Sequence, residues 1–167
     1  MTSDLLAHGL AMARASSPWL GPVLACAAFA EAMVVVGVFV PLTPFLILAG
    51  AVMGAGALDH GTPLWVSAGA FLGNAVSYHL GRRAARPITA RLPARALALA
   101  RRLFLRHGSA AIVIARFMGP PATVAPFLAG SAGLSLGRFL VASLAASLAW
   151  PIAMIGVGLL SSSLWTT

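Results

Sequence analysis

The chain has 167 residues, of which 60% are hydrophobic and only 8% are charged, and its mean hydropathy is +0.95. Soluble domains carry about 25% charged residues, so this chain cannot cover a water-facing surface, and a soluble enzyme, a disordered tail and a secreted disulfide scaffold are all excluded. A single cysteine, Cys26, allows no intramolecular disulfide, and the net charge of +8 rests on eleven arginines, no lysine and three acids.

In chain order, the first apolar run covers residues 19–40, interrupted only by Glu31. It has the length of a span, which needs about 20 apolar residues. Ala28-Phe29-Ala30 imitates a signal-peptidase site, but the run continues past it to Val40 and Asp4 weakens the positive start, so a retained span is expected. Residues 41–58 open with Pro41 and Pro44 and close with Gly50, Gly54 and Gly56. Proline removes a backbone donor and clashes with the preceding turn, so this stretch is expected to dip into the membrane and return as a re-entrant hairpin. A second, weaker span is expected over 64–81, with Asn74, Ser77 and Tyr78 inside it. A basic segment over 82–107 follows, and then a second broken stretch, 110–133, with Arg116, Pro120, Pro121, Pro126 and three glycines. The last span is expected over 136–159. Broken backbone at membrane depth is tolerated where it is buried in protein or lines a wet cavity.

The two broken stretches resemble each other. Pro41–Gly50 aligns without gaps on Pro121–Gly130, with five of ten residues identical, among them Pro-x-Thr and the closing Ala-Gly. Paired, interrupted segments in two halves of a chain are the sequence pointer to a transporter's binding site. The fold expected is therefore an all-α integral membrane protein, an inverted repeat with two opposed re-entrant hairpins.

Eight of the eleven arginines lie between Arg82 and Arg106. The positive-inside rule puts that segment in the cytoplasm, the N-terminus with Arg14 on the same side, Asp59-His60 outside, and the two hairpins entering from opposite faces. On a helical wheel Arg91, Arg95, Arg102 and Arg106 share one face, beside an apolar face of Leu92, Ala96, Leu99, Ala100 and Leu103. Such a helix lies at the headgroups, where Arg82, Arg83, Arg91, Arg95, Arg102 and Arg106 would meet anionic lipid. No aromatic residues interleave with them, so nucleic acid is not an expected partner. His8, His60, His79 and His107 lack ligand spacing, and neither a metal nor a cofactor is expected. Trp19, Trp65, Trp150 and Trp165 read as interface anchors.

Glu31, in the middle of the first span, and Arg116, within the second broken stretch, are the charges expected at membrane depth. Each costs about 2.5–3.5 kcal/mol there, so they are the leading candidates for substrate or proton binding, or else for a bridge between the two halves. A carboxylate can carry a proton, and a guanidinium fork suits phosphate. Thr43 and Thr123 offer hydroxyls at the breaks, or cap their own helices. Asn74 and Tyr78 are candidate supporting residues. No nucleophile sits beside a base, so no enzymatic activity is expected.

These residues carry a resemblance. FAEAMVVVGVFVPLTPFLILAG (29–50), GNAVSYHLGRR (73–83) and RHGSAAIVIARFMGPPATVAPFLAG (106–130) are similar to the DedA family of bacterial inner-membrane proteins, whose core is also called the VTT or SNARE-associated domain. The resemblance implies opposed re-entrant hairpins in an inverted repeat. It also implies movement of undecaprenyl phosphate or a phospholipid across the inner membrane, with coupling to protons. Glu31 matches the family's acid in its first helix and Arg116 the first arginine of its second motif. Thr43 stands where the family usually has Asp or Glu, Asn74 where it often has Asp, and Ala122 where it usually has a second arginine. Two functions follow as expectations: a transporter of anionic lipid, or a non-transporting assembly protein that keeps the fold with altered charged motifs.

Overall fold

Proline placement decides where several of the helices begin. In the computed structural model, which describes residues 19–34, 36–37, 42–54, 61–84, 88–119 and 121–164, Pro44, Pro63 and Pro121 stand in the first turns of three helices, and Pro93 is the residue before a fourth. A proline there loses nothing, because the first-turn N–H groups have no intrahelical acceptor. The helices are α1 (Trp19–Ala32), α2 (Thr43–Gly54), α3 (Thr62–Arg83), α4 (Ala94–His107), α5 (Ala111–Arg116), α6 (Pro121–Ser131) and α7 (Leu136–Leu164). A 3-10 turn over Gly108–Ala110 joins α4 to α5, and no strand occurs among the described residues.

Several helix ends differ from the sequence-based expectation. The first run does not continue as one helix to Val40: α1 ends at Ala32, and Met33, Val34, Val36 and Gly37 lie in bends and turns. Two causes combine: valines have low helix propensity, and the Ser77 hydroxyl, distant in sequence, captures backbone groups there. In the 41–58 stretch, residues 43–54 form a single helix that runs through Gly50, and Pro41 and Gly56 lie outside the described residues. In the 110–133 stretch the break comes at Phe117–Gly119, between α5 and α6, and Gly119 takes φ +71°. Pro126 and Pro151 are accommodated inside helices and are buried. Among the described residues α7 alone is long and apolar enough to cross a membrane.

The packing is crossed. α2 lies on α7 and α6 lies on α3, while α3 packs on α7, α4 on α6, and α5 on both α6 and α7. Both crossed contacts are made backbone to backbone through glycine. A Cβ on Gly50 would meet the Ile155 carbonyl, and one on Gly158 the Ile47 carbonyl. In the other half, a Cβ on Gly130 would meet the Tyr78 carbonyl, and one on Gly81 the Phe127 carbonyl. Gly50 and Gly130 are the closing glycines of the two aligned ten-residue segments, and Ile47 and Phe127 also occupy aligned positions. Small residues at helix crossings let backbones approach in the absence of a strong hydrophobic drive. A further small-residue stripe on α3 receives α1: Gly69 faces the Ala25 carbonyl and Gly73 the Phe29 carbonyl.

α4 also differs in detail. Arg91 and Leu92 lie in the turn before it, and its buried side is Ala96 and Ala100 with Leu97 and Phe104 partly covered, whereas Leu99 is exposed. Packing on α6 has chosen this face. The α6–α7 turn closes on Gly133 (φ +75°), with Leu134 N–H donating to Ala129 O at 3.0 Å and Gly133 N–H to Gly130 O at 3.1 Å. Those bonds satisfy the last carbonyls of α6. Large apolar side chains, among them Trp19, Phe45, Leu64, Trp65, Val141 and Leu160, face outward.

Candidate functional site

The end of α1 is where the first buried charge sits. Glu31 is the penultimate residue of α1 rather than the middle of a span. A carboxylate at a helix C-terminus meets the negative end of the helix dipole, so it needs donors from elsewhere. The Leu42 backbone N–H, immediately ahead of α2, supplies one, in the arrangement that makes helix N-termini good anion sites. Arg116 supplies the other: its Nη2 lies 3.4 Å from Glu31 Oε2, with side-chain exposures of 3% for the arginine and 13% for the glutamate. Arg116 is the last residue of α5, where a cation is favoured by the dipole. The two charges singled out in the sequence are therefore partners, as the bridge between halves anticipated, each at the end of a helix that breaks.

The contact is single rather than a two-pronged fork, so it is weaker than a bidentate pair. Arg116 Nε is buried without a hydrogen-bond partner. The guanidinium also lies over the Trp150 ring, 4.0 Å from its centroid. A cation–π contact of this kind contributes about 2 kcal/mol when desolvated. Trp150 is 4% exposed, so it is a wall of the site and not the interface anchor expected for it. Trp19 and Trp65 are exposed, and Trp165 lies outside the described residues.

The chain around the pair is held by neighbours from other helices. Ser77 Oγ donates to the Ala32 carbonyl and accepts from the Val34 N–H, both at 2.9 Å. One hydroxyl thus satisfies two backbone groups that the end of α1 sets free. Gly37 is wedged where a Cβ would meet both the Glu31 carbonyl and the Thr123 methyl. Thr123, buried on α6, is thereby brought beside the turn that follows Glu31. Thr43 is half-buried and next in sequence to Leu42, whose amide holds the carboxylate. Asn74 is buried, its Nδ2 3.3 Å from Ser147 Oγ, and its Oδ1 has no partner. Ser143 Oγ, one turn before Ser147 on α7, is also buried and unpartnered.

Other predicted residues lie elsewhere. Tyr78 donates its hydroxyl to the Leu134 carbonyl and stacks on Phe139 at 4.2 Å, so it clamps the α6–α7 turn rather than supporting the ion pair. Arg82 donates to the Tyr78 hydroxyl at 3.4 Å. Arg83, Arg91, Arg95, Arg102 and Arg106 are exposed, as Arg82 is. Pro44 is exposed at the start of α2 and Pro121 is buried at the start of α6, while Pro41 and Pro120 lie outside the described residues. Among the described residues no group of His, Cys, Asp or Glu could hold a metal ion.

Sequence reasoning passed over Ser143, Ser147 and the packing role of Trp150. Their signal was the 143, 147, 150 spacing, which puts two hydroxyls and the indole on one face of an otherwise apolar helix. The sequence places Ser77 only inside the second span; its bonds are made across helices, to a helix end whose position the sequence did not show.

An all-helical protein with crossed, glycine-mediated packing and a buried arginine–carboxylate pair at its helix breaks is the class that fold and site define. The VTT domain matches residues 40–160. In Escherichia coli K12, the inner membrane protein YqjA is 32% identical over 126 residues, covering 72% of this chain and 57% of that protein. YghB, also named an inner membrane protein, is 35% identical over 118 residues, covering 67% and 54%, and YabI is 27% identical over 130 residues, covering 74% and 51%. The chain belongs to the VTT-domain family, the DedA family of membrane proteins. It spans a little over half the length of the curated relatives it matches. No solved structure matches it.

Proposed function

We propose that the chain is a multi-pass protein of a bacterial inner membrane that moves an anionic lipid, a phospholipid or undecaprenyl phosphate, between leaflets. The single observation that carries this reading is the buried Glu31–Arg116 pair, with one contact made and an Arg116 donor left over at Nε. Arg116 can exchange Glu31 for a lipid phosphate, and Glu31 can take up a proton when its cation is withdrawn, which would couple the two movements. Thr43 and Thr123 stand at the starts of α2 and α6, beside this exchange. In this reading α1–α2 and α5–α6 are the re-entrant hairpins of an inverted repeat. The matched crossings Gly50–Gly158 and Gly130–Gly81 support the repeat, because both halves use the same backbone contacts on the opposite half's long helix. The arginines between Arg82 and Arg106 support a cytoplasmic side for their segment and, in this reading, for the N-terminus. No bond-making chemistry is assigned to the site.

The test is movement of a fluorescent phosphatidylglycerol or polyprenyl phosphate in proteoliposomes. The parent is expected to move it, and Glu31→Ala and Arg116→Ala to slow it at least about tenfold, as loss of a charge-assisted contact implies. Movement at the parent's rate by both variants overturns the site assignment. A second reading, a non-transporting assembly protein, is favoured by the cover that Trp150 gives Arg116. It predicts no movement by the parent, with Arg116→Ala lowering abundance rather than rate.

A further inference from the structure

The outer surface of α4 carries a feature that the buried pair does not explain. Between α4 and the end of α6 lies an open groove of about 280 Å³, lined by Arg101, Phe104, Leu105, Leu128, Ser131 and Ala132. Its walls are apolar except for one guanidinium and one hydroxyl, and the hydroxyl is engaged, Ser131 Oγ donating to the Leu128 carbonyl at 3.1 Å. Leu105 is 90% exposed although it sits between Arg101, Arg102 and Arg106. A leucine so exposed, on a helix whose neighbouring residues are charged, marks a surface that something apolar covers.

We propose that this groove holds one anionic phospholipid of the surrounding membrane as a resident ligand, its phosphate on Arg101 and the start of an acyl chain against Leu105, Phe104 and Leu128. Charge complementarity decides the headgroup. The chain has only three acids, Asp4, Glu31 and Asp59; Glu31 is taken by Arg116, and no carboxylate pairs with Arg101 among the described residues. At the end of α6 the Leu128, Ala129 and Gly130 carbonyls accept backbone N–H groups of the following turn, which lessens their opposition to an anion. Size decides how much of the lipid enters. The volume lies just below the ~300–1,000 Å³ of whole small-molecule sites, so the groove takes a headgroup and part of one chain. Arg101 lies on a different helix from Arg116, and the inference rests on membrane residence alone, with no dependence on lipid movement.

The test is native mass spectrometry of the detergent-solubilised full chain titrated with phosphatidylglycerol or phosphatidylcholine. The parent is expected to retain one phosphatidylglycerol and to prefer it to phosphatidylcholine by about tenfold, the effect of a hydrogen bond to a charged group. Arg101→Gln should lose most of that preference, whereas Arg91→Gln, which removes the same charge outside the groove, should lose less than about twofold of it, because an exposed charge acting from a distance is screened. Leu105→Asn should weaken retention of both lipids, leaving headgroup preference in place. All three positions are exposed, so circular dichroism and monodispersity should match the parent. Equal retention of the two lipids by the parent, equal losses in Arg101→Gln and Arg91→Gln, or full retention by Leu105→Asn would each overturn the proposal.

Discussion

The two helix breaks share a packing plan and differ in chemistry. At the first, between α1 and α2, the backbone is held from outside: Ser77 bonds both Ala32 and Val34, and the Leu42 amide takes the Glu31 carboxylate. At the second, between α5 and α6, the turn is made locally by Gly119 at positive φ ahead of Pro121, and it presents Arg116 under Trp150. The crossings beyond them, Gly50 on α7 and Gly130 on α3, are nearly interchangeable. Duplication thus fixes where the backbones meet, while single residues at the breaks set the charges. One half contributes an anion with its donors in place, and the other a cation with a donor to spare.

The largest effect should come from breaking the pair on its cationic side. Arg116→Ala leaves Glu31 buried with only the Leu42 amide, and removal of one partner of a buried pair costs about 3–5 kcal/mol. Thermal unfolding in detergent should show it. Replacing both charges, Glu31→Leu with Arg116→Met, should recover most of that stability, since apolar replacement of a buried pair is often neutral. Next come the crossings: Gly50→Val and Gly130→Val should each cost about 3 kcal/mol, the top of the overpacking range, because the obstacle is backbone. Similar losses in both would support the matched plan, and a large loss at one alone would break it. Ser77→Ala should cost about 2 kcal/mol, having left a buried N–H and a buried carbonyl unpaired. At the second break the backbone closes on its own turn, with Phe117 N–H donating to Ile114 O and Met118 N–H to Ala115 O. The smallest effect, about 1 kcal/mol, is expected for Trp150→Phe, which keeps a ring but weakens the cation–π contact.

Much of this organisation was legible before the structure. Glu31 and Arg116 stood out because a charge in an apolar run is costly enough to need a reason, and the Pro-x-Thr…Ala-Gly match marked the helices that cross. Helical class and family followed from the same stretches. What sequence did not show was where α1 stops. An apolar run continues to Val40, and the valines alone do not stop a helix; a hydroxyl from α3, distant in sequence, is what makes a turn after Ala32 competitive with helix. The role of Trp150 was hidden for a similar reason, since tryptophan serves equally as interface anchor and as a cation's platform, and only the placement of α5 on α7 decides between them. The buried face of α4 was misread at Leu99 because the helix starts after Pro93 and its partner, α6, chose the side that contains Ala96 and Ala100.

The central claim is that Glu31 and a lipid phosphate compete for Arg116. Equilibrium binding of a phosphate-bearing lipid to the parent and to Glu31→Gln, each paired with its movement rate in proteoliposomes, tests it most directly. The account predicts tighter binding to Glu31→Gln, by about tenfold for one charge-assisted contact no longer contested, together with slower movement because release has lost its competitor. Binding to Glu31→Gln that is equal to the parent's or weaker would contradict it.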